Sequence, residues 1–293
     1  MALVEGKRRF PHPGQQGLGT CRSLLPPNSA TIPAVEEPLV FSDPLGHRVS
    51  AILTIPGQST DRIAVLCHGF LSGKNSTTNK TLTRMLTERA IATFRFDFFG
   101  QGESDGPFEE LTTTLAVQQT EAALDLVTAR GYGRIGLVGS SFGGLVAILA
   151  AAKRSNIACL ALKCPVVDFA EELLLTLGPD ELARWKTTDT IPDIIGGQDR
   201  VRLRYEFYED SLRQIAYGPA ERITMPTLIV QGEQDECVPL HQSRRLCDAL
   251  GGPKKLVLLS DADHQFTRGE DFHQMTTAIS DWLVTHLQEK RDS

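Results

Sequence analysis

The chain has 293 residues, 41% hydrophobic and 23% charged, with a net charge of −6. Those values fit a globular protein with a sizeable core, and α/β folds of this length often form one domain. The acidic balance, without a basic cluster interleaved with aromatics, argues against nucleic acid and anionic membranes as partners, and no run of about 18 apolar residues offers a transmembrane span.

In chain order, the N-terminal stretch carries Lys7-Arg8-Arg9 with no apolar segment behind it, then Pro11, Pro13 and Pro26-Pro27. Residues 1–37 therefore read as a flexible tail and not as a secretory signal, with an organelle transit segment or an over-long start as the other readings. Val40–Ser42, the turn Asp43-Pro44-Leu45-Gly46 and residues 48–55 predict an antiparallel hairpin. Short apolar runs then alternate with helical patterns. The expected elements are a strand at 62–67, helix 76–90, strand 91–96, helix 112–130, strand 134–138, helix 142–154 and strand 157–163. After a gap come strand 226–231, helix 239–250, strand 255–260 and helix 271–288. This alternation predicts an α/β fold, a mostly parallel, doubly wound sheet of about eight strands with helices on both faces. Its core would comprise residues 38–165 and 225–293, with 166–224 inserted. The insertion is too long for a plain connection. Within it, 171–177 reads as a helical turn or two, 190–205 as a hairpin turning at Gly196-Gly197, and 205–217 as a helix.

The most informative motif is Gly139-Ser140-Ser141-Phe142-Gly143, a G-x-S-x-G sequence between a buried strand and an Ala-rich helix. A tight strand-to-helix turn would strain the serine backbone, require small neighbours, and present the hydroxyl beside the free N–H groups of a helix start. A serine nucleophile needs a base, and the base needs an orienting carboxylate. Asp235 follows the strand ending at Gln231, and His264 follows the strand ending at Ser260. Ser141, Asp235 and His264 would thus sit at the C-terminal ends of consecutive strands, where open α/β sheets gather functional groups. Against Asp235 stand a helix-capping role and the neighbouring acids Glu233 and Glu236. Against His264 stands the default of a surface loop histidine, although His12, His47, His241, His273 and His286 fall in a tail, a turn or helices. Cys67-His68-Gly69-Phe70 follows another strand, so the N–H of Phe70, with that of Phe142 after the serine, would form an oxyanion hole. We read His68 as shaping that turn and Asp97 as fastening its loop. The six cysteines show no CxxC pair and no metal-ligand spacing. Reduced thiols and a cytoplasmic location are the simplest reading, and no metal or cofactor is implied.

His68-Gly69-Phe70, residues 95–106, the serine motif, Gly232-x-x-Asp235-x-x-Val238-Pro239 and Ala262-Asp263-His264-x-Phe266 together resemble the α/β-hydrolase superfamily. More narrowly, they are similar to bacterial-type carboxylesterases of the feruloyl (cinnamoyl) esterase group. The resemblance covers roughly residues 38 to 288. It departs from the group at Phe99-Gly100-Gln101-Gly102 and at Ser140, where relatives often carry Gly-His-Gly and His. It implies a Ser141–His264–Asp235 triad, oxyanion donors at Phe70 and Phe142, and a lid formed by 166–224. Trp185, Tyr205, Phe207 and Tyr208 could line a pocket or simply glue the lid down; Asp168 and Tyr205 are the lid residues expected to touch substrate. The implied substrate is a small ester, short-chain or hydroxycinnamoyl. Rival readings are an acyl thioesterase or lysophospholipase, a prolyl-aminopeptidase-like peptidase, and a catalytically silent binding protein. Oligomeric state is left open, a homodimer included.

Overall fold

The computed structural model describes residues 33–189, 191 and 202–288. Eight strands form one sheet: β1 (Val35–Ser42), β2 (Arg48–Ile55), β3 (Arg62–Cys67), β4 (Ala92–Phe96), β5 (Arg134–Ser140), β6 (Ile157–Lys163), β7 (Thr227–Gly232) and β8 (Lys254–Leu259). Their spatial order is β1-β2-β4-β3-β5-β6-β7-β8. The pairs β1/β2 and β2/β4 are antiparallel, and all the others are parallel.

The parallel strands are apolar almost end to end because helices cover both faces of the sheet. Alternate residues feed two cores: Ile63, Val65 and Cys67 face one, Ala64 and Leu66 the other. The first core is closed by α2 (Thr113–Ala129) and α3 (Phe142–Ala151), the second by α1 (Thr77–Thr87) and α8 (Gly269–Gln288). Short polar residues start two of these helices by accepting an orphan N–H. Ser76 accepts from Asn79 N–H at 3.3 Å, and Thr112 from Leu115 N–H at 3.1 Å.

The inserted segment carries α4 (Phe169–Thr188), α5 (Glu206–Ser211) and α6 (Tyr217–Ala220), and α7 (Leu240–Ala249) follows β7. Three readings are corrected here. The hairpin's first strand begins at Val35, inside the stretch assigned to the tail. The helical turn expected at 171–177 extends into the 20-residue α4, which passes a kink at Gly178 (φ 75°) and restarts at Pro179. The helix expected over 205–217 is only the six-residue α5, and α6 begins at the last residue of that span. The expected turn at Gly196-Gly197 and most of the N-terminal stretch lie outside the described residues. No helix among the described residues is long and apolar enough to cross a membrane.

Candidate active site

The strand-to-helix turn at Ser141 is strained, with φ 53° and ψ −118°. Left-handed φ in a residue with a Cβ costs on the order of 1–3 kcal/mol and persists only where the surroundings enforce it. They do so by close backbone approach. A Cβ on Gly139 would lie 2.4 Å from Gly143 O, and one on Gly143 2.4 Å from the carbonyl oxygens of Cys67 and His68. Although Ser141 holds the N-cap position of α3, its hydroxyl caps no N–H of that helix. It faces His264 instead, with Oγ 3.1 Å from Nε2.

His264 is 4% exposed, and its Nδ1 lies 2.9 and 3.0 Å from the two carboxylate oxygens of Asp235. An acid–base pair this close puts the proton on Nδ1, leaving Nε2 to accept from the serine hydroxyl. Asp235 is held from several sides. Its Oδ1 accepts from the N–H groups of Cys237 at 2.9 Å and Val238 at 2.8 Å, and its Oδ2 from Gln231 Nε2 at 2.7 Å. Burial pushes its pKa up, but the hydrogen bonds from His264 and Val238 outweigh this and hold the carboxyl below its ordinary value. Of the rival acids, Glu236 accepts from the main-chain N–H of His264 at 3.1 Å and does not reach the ring, while the Glu233 N–H pairs with Leu259 O. The three residues follow β5, β7 and β8, so the strands are not consecutive: β6 lies between the first two.

The N–H groups of Phe70 and Phe142 have no protein acceptor among the described residues. Phe142 opens α3, where the first N–H groups lack intrahelical partners. His68 fixes the neighbouring turn. Its Nε2 accepts from Phe98 N–H at 3.0 Å, so Nδ1 is the donor to Gly69 O at 2.7 Å. Full burial drives its pKa down to about 4, which keeps the ring neutral. Asp97 fastens the next loop by accepting from the Lys74 ammonium at 2.5 Å, Lys74 N–H at 2.6 Å and Glu103 N–H at 3.0 Å.

Aromatic rings pack against those of Phe70 and Phe142, the residues that carry these two N–H groups. Phe70 packs at 5.8 Å from Phe142 and 5.5 Å from both Phe169 and Phe207, with Phe169 and Phe207 contributed by the inserted segment. Phe207 is thus beside the site, as the sequence allowed. Trp185, Tyr205 and Tyr208 pack on one another instead, and Trp185 Nε1 donates to Leu203 O at 2.7 Å. Asp168 caps α4 by accepting from Glu171 N–H at 2.9 Å. No described contact brings Asp168 or Tyr205 to the Ser141–His264–Asp235 group.

Sequence reading missed Glu172. It shares the buried face of α4 with Phe169 and Leu173, lying three residues after the first and one before the second. One oxygen accepts from Thr176 Oγ1 at 3.3 Å, while Oε2 is buried without a partner. Burial, with Asp235 nearby, pushes its pKa up to about 7. An acidic residue in the first turn of a helix looks like a charge placed for the helix dipole, so only its burial distinguishes it. Among the described residues, Cys164, Asp235 and His264 form the group that could hold a metal ion, their donor atoms lying within 4.8 Å of one another. Burial keeps the Cys164 thiol protonated, and Asp235 and His264 already satisfy each other.

Known proteins share this architecture. A model of the "Alpha/beta hydrolase family" matches residues 64–275. An uncharacterised 31.7 kDa Escherichia coli protein from the traX-finO intergenic region is 26% identical over 83% of this chain and 98% of its own. Mouse palmitoyl-protein thioesterase ABHD10 is 25% identical over 73% of each chain. Among solved structures, Est1E of Butyrivibrio proteoclasticus with bound ferulic acid superposes with a TM-score of 0.75, covering 86% of this chain and all of its own at 24% identity. A family match over most of the chain makes this protein a member of the alpha/beta hydrolase family.

Proposed function

We propose that the protein is a serine ester hydrolase working through an acyl-enzyme. One observation carries the reading: a strained Ser141 has its Oγ 3.1 Å from an imidazole nitrogen whose ring is held by a buried carboxylate. In this reading His264 takes the Ser141 proton as Oγ attacks the carbonyl, and Asp235 stabilises the resulting imidazolium. The N–H groups of Phe70 and Phe142 receive the oxyanion, each donor being worth about 3 kcal/mol by analogy with measured oxyanion-hole losses. The alcohol leaves with the proton from His264, and water then releases the acid by the same steps reversed in role. This chemistry calls on no cofactor.

Phe70, Phe142, Phe169 and Phe207 favour an acyl group that is flat or short. Glu172, one turn beyond Phe169 and with an open oxygen, would meet a polar substituent on it. Next to Phe70, Leu71 and Phe108 border a cavity of about 380 Å³ that also touches Ser72, Gln101 and Arg202, where we place the leaving alcohol. Short-chain or hydroxycinnamoyl esters suit this arrangement best. The second reading is a thioesterase, favoured by the mouse relative's name and served by the same triad. Five free cysteines among the described residues suit a reducing compartment, and we place the protein in the cytoplasm.

Initial rates on p-nitrophenyl butyrate, p-nitrophenyl decanoate and methyl ferulate, with Ser141→Ala in parallel, test the proposal. Ser141-dependent turnover of butyrate and ferulate is expected. A preference for decanoate transfers the assignment to the lipid or thioester reading, and the absence of any Ser141-dependent rate sinks the ester-hydrolase assignment in favour of the peptidase or the silent binder.

A further inference from the structure

Between the strand leading to Ser141 and the strand leading to Asp235 lies β6, and its last residue is Lys163. A cation is out of place there. The strand is buried at every position but Ala158, and Lys163 is only 4% exposed. A buried ammonium needs acceptors, yet among the described residues Lys163 makes no ion pair. Its Nζ donates to one group, the main-chain carbonyl of His264, at 2.8 Å, and stands 5.2 Å from the centre of the Phe266 ring. No other described donor reaches that carbonyl. At its other end, the carbonyl of Lys163 accepts the N–H of Ser141 at 2.9 Å, continuing the pairing of Ser140 with Lys163 between β5 and β6. One residue therefore touches both chain segments whose side chains must meet.

We propose that Lys163 is a positioning residue that sets the Ser141–His264 contact, its carbonyl pinning the nucleophile's turn and its ammonium pinning the loop that carries the base. The inference rests on the reading of Ser141 as nucleophile and His264 as base. It gives a role to a charge at a place where an apolar side chain of the same shape would be no less stable. Burial draws the ammonium below its ordinary value, and the nearby Asp235 and Asp263 counter that pull. His264 has a second main-chain anchor, its N–H on the exposed Glu236. The Lys163 anchor is the buried one.

The test uses Lys163→Met, which keeps an unbranched chain of similar length and removes the ammonium, alongside wild type, Ser141→Ala and Lys163→Arg. Turnover of p-nitrophenyl butyrate and the rate of Ser141 labelling by a fluorophosphonate are followed, together with Tm. Lys163→Met should lose at least tenfold in kcat and in labelling rate, with KM within threefold and Tm unchanged or raised. Lys163→Arg keeps an N–H donor for the same carbonyl and should recover most of the loss. A purely packing role predicts the opposite: activity falling only in step with Tm and no recovery in Lys163→Arg. Either that pattern or a kcat within threefold of wild type overturns the proposal. If Lys163→Met does not fold, Lys163→Gln is read by the same criteria. A wild type without Ser141-dependent turnover or labelling overturns the hydrolase reading and this inference together, whereas an active wild type with an undiminished Lys163→Met overturns this inference alone.

Discussion

Gly143→Ala tests whether close backbone approach builds the site. A Cβ at residue 143 would sit 2.4 Å from the carbonyl oxygens of Cys67 and His68 and 2.7 Å from the Cys67 carbonyl carbon. All three atoms are backbone, so no side chain can swing away. Moving the closest contacts out to 3.0 Å requires the serine turn and the loop after β3 to part by about 0.6 Å. These are the segments carrying Phe142 N–H and Phe70 N–H, so the proposed oxyanion donors would separate by a similar amount. Overpacking of this kind costs about 1–3 kcal/mol of stability. A misplacement approaching 1 Å at the reacting centre costs up to about 100-fold in rate. The expected result is a folded protein whose Tm falls by several degrees and whose kcat on p-nitrophenyl butyrate drops about 10- to 100-fold, with a smaller change in KM. Gly218→Ala is the control: nothing lies within 4 Å of its Cβ position, and the change should leave activity alone. If Gly143→Ala keeps kcat within threefold of wild type, the geometric account of the oxyanion hole is wrong.

Asp235→Asn should fold normally yet lose about 10⁴-fold in kcat, because an amide in that position favours the wrong tautomer of His264; steady-state rates and circular dichroism check both halves. His68 has a folded pKa near 4 against an ordinary 6.5, so the unfolded chain binds the extra proton between these values. Its stabilisation of about 3 kcal/mol is therefore full above pH 6.5 and lost as pH falls towards 4, and Tm measured across that window should drop less steeply in His68→Gln than in wild type. Glu172 works in the opposite sense. Its folded pKa of about 7 exceeds the ordinary 4.5, so stability is highest below pH 4.5 and about 3 kcal/mol is lost as pH rises through 7. Glu172→Gln should match wild type in Tm at pH 4 and exceed it by several degrees at pH 8; equal values at pH 8 would show that the carboxyl is not held in an apolar setting.

The sheet was legible because parallel strands covered on both faces are nearly continuous apolar runs, and β3 and β6 span the residues expected of them. Val35-Glu36-Glu37-Pro38 hid the start of β1 because an edge strand is half solvated and tolerates both charge and proline. The length of α4 was hidden by Gly178-Pro179, a pair that ends one helical segment and suits the first position of the next. Ser141, Asp235 and His264 could be found since each is announced locally, by a strand before it and a small or turn-forming residue beside it. Glu172 and Lys163 carry no such local sign. The ammonium of Lys163 meets a carbonyl 101 residues away, and only the strand order brings them together.

That difference bears on how the site is held. Asp235 receives hydrogen bonds from Gln231, Cys237, Val238 and His264, three of them within four residues of it, so its position is fixed within its own loop. Ser141 has its conformation set by the turn of which it is part, together with the glycine approach to the loop after β3. The remaining degree of freedom is the distance between these two rigid pieces, measured at the 3.1 Å contact of Ser141 Oγ with His264 Nε2. That contact spans 123 residues, and the chain gives it no local constraint. It depends on β6, whose last residue hydrogen-bonds to both sides. Substitutions that disturb the packing of either rigid piece, such as Gly143→Ala, should therefore lower stability and activity together. Those acting on the junction, at Lys163, should separate the two, and that separation distinguishes a site held as one body from one assembled from two.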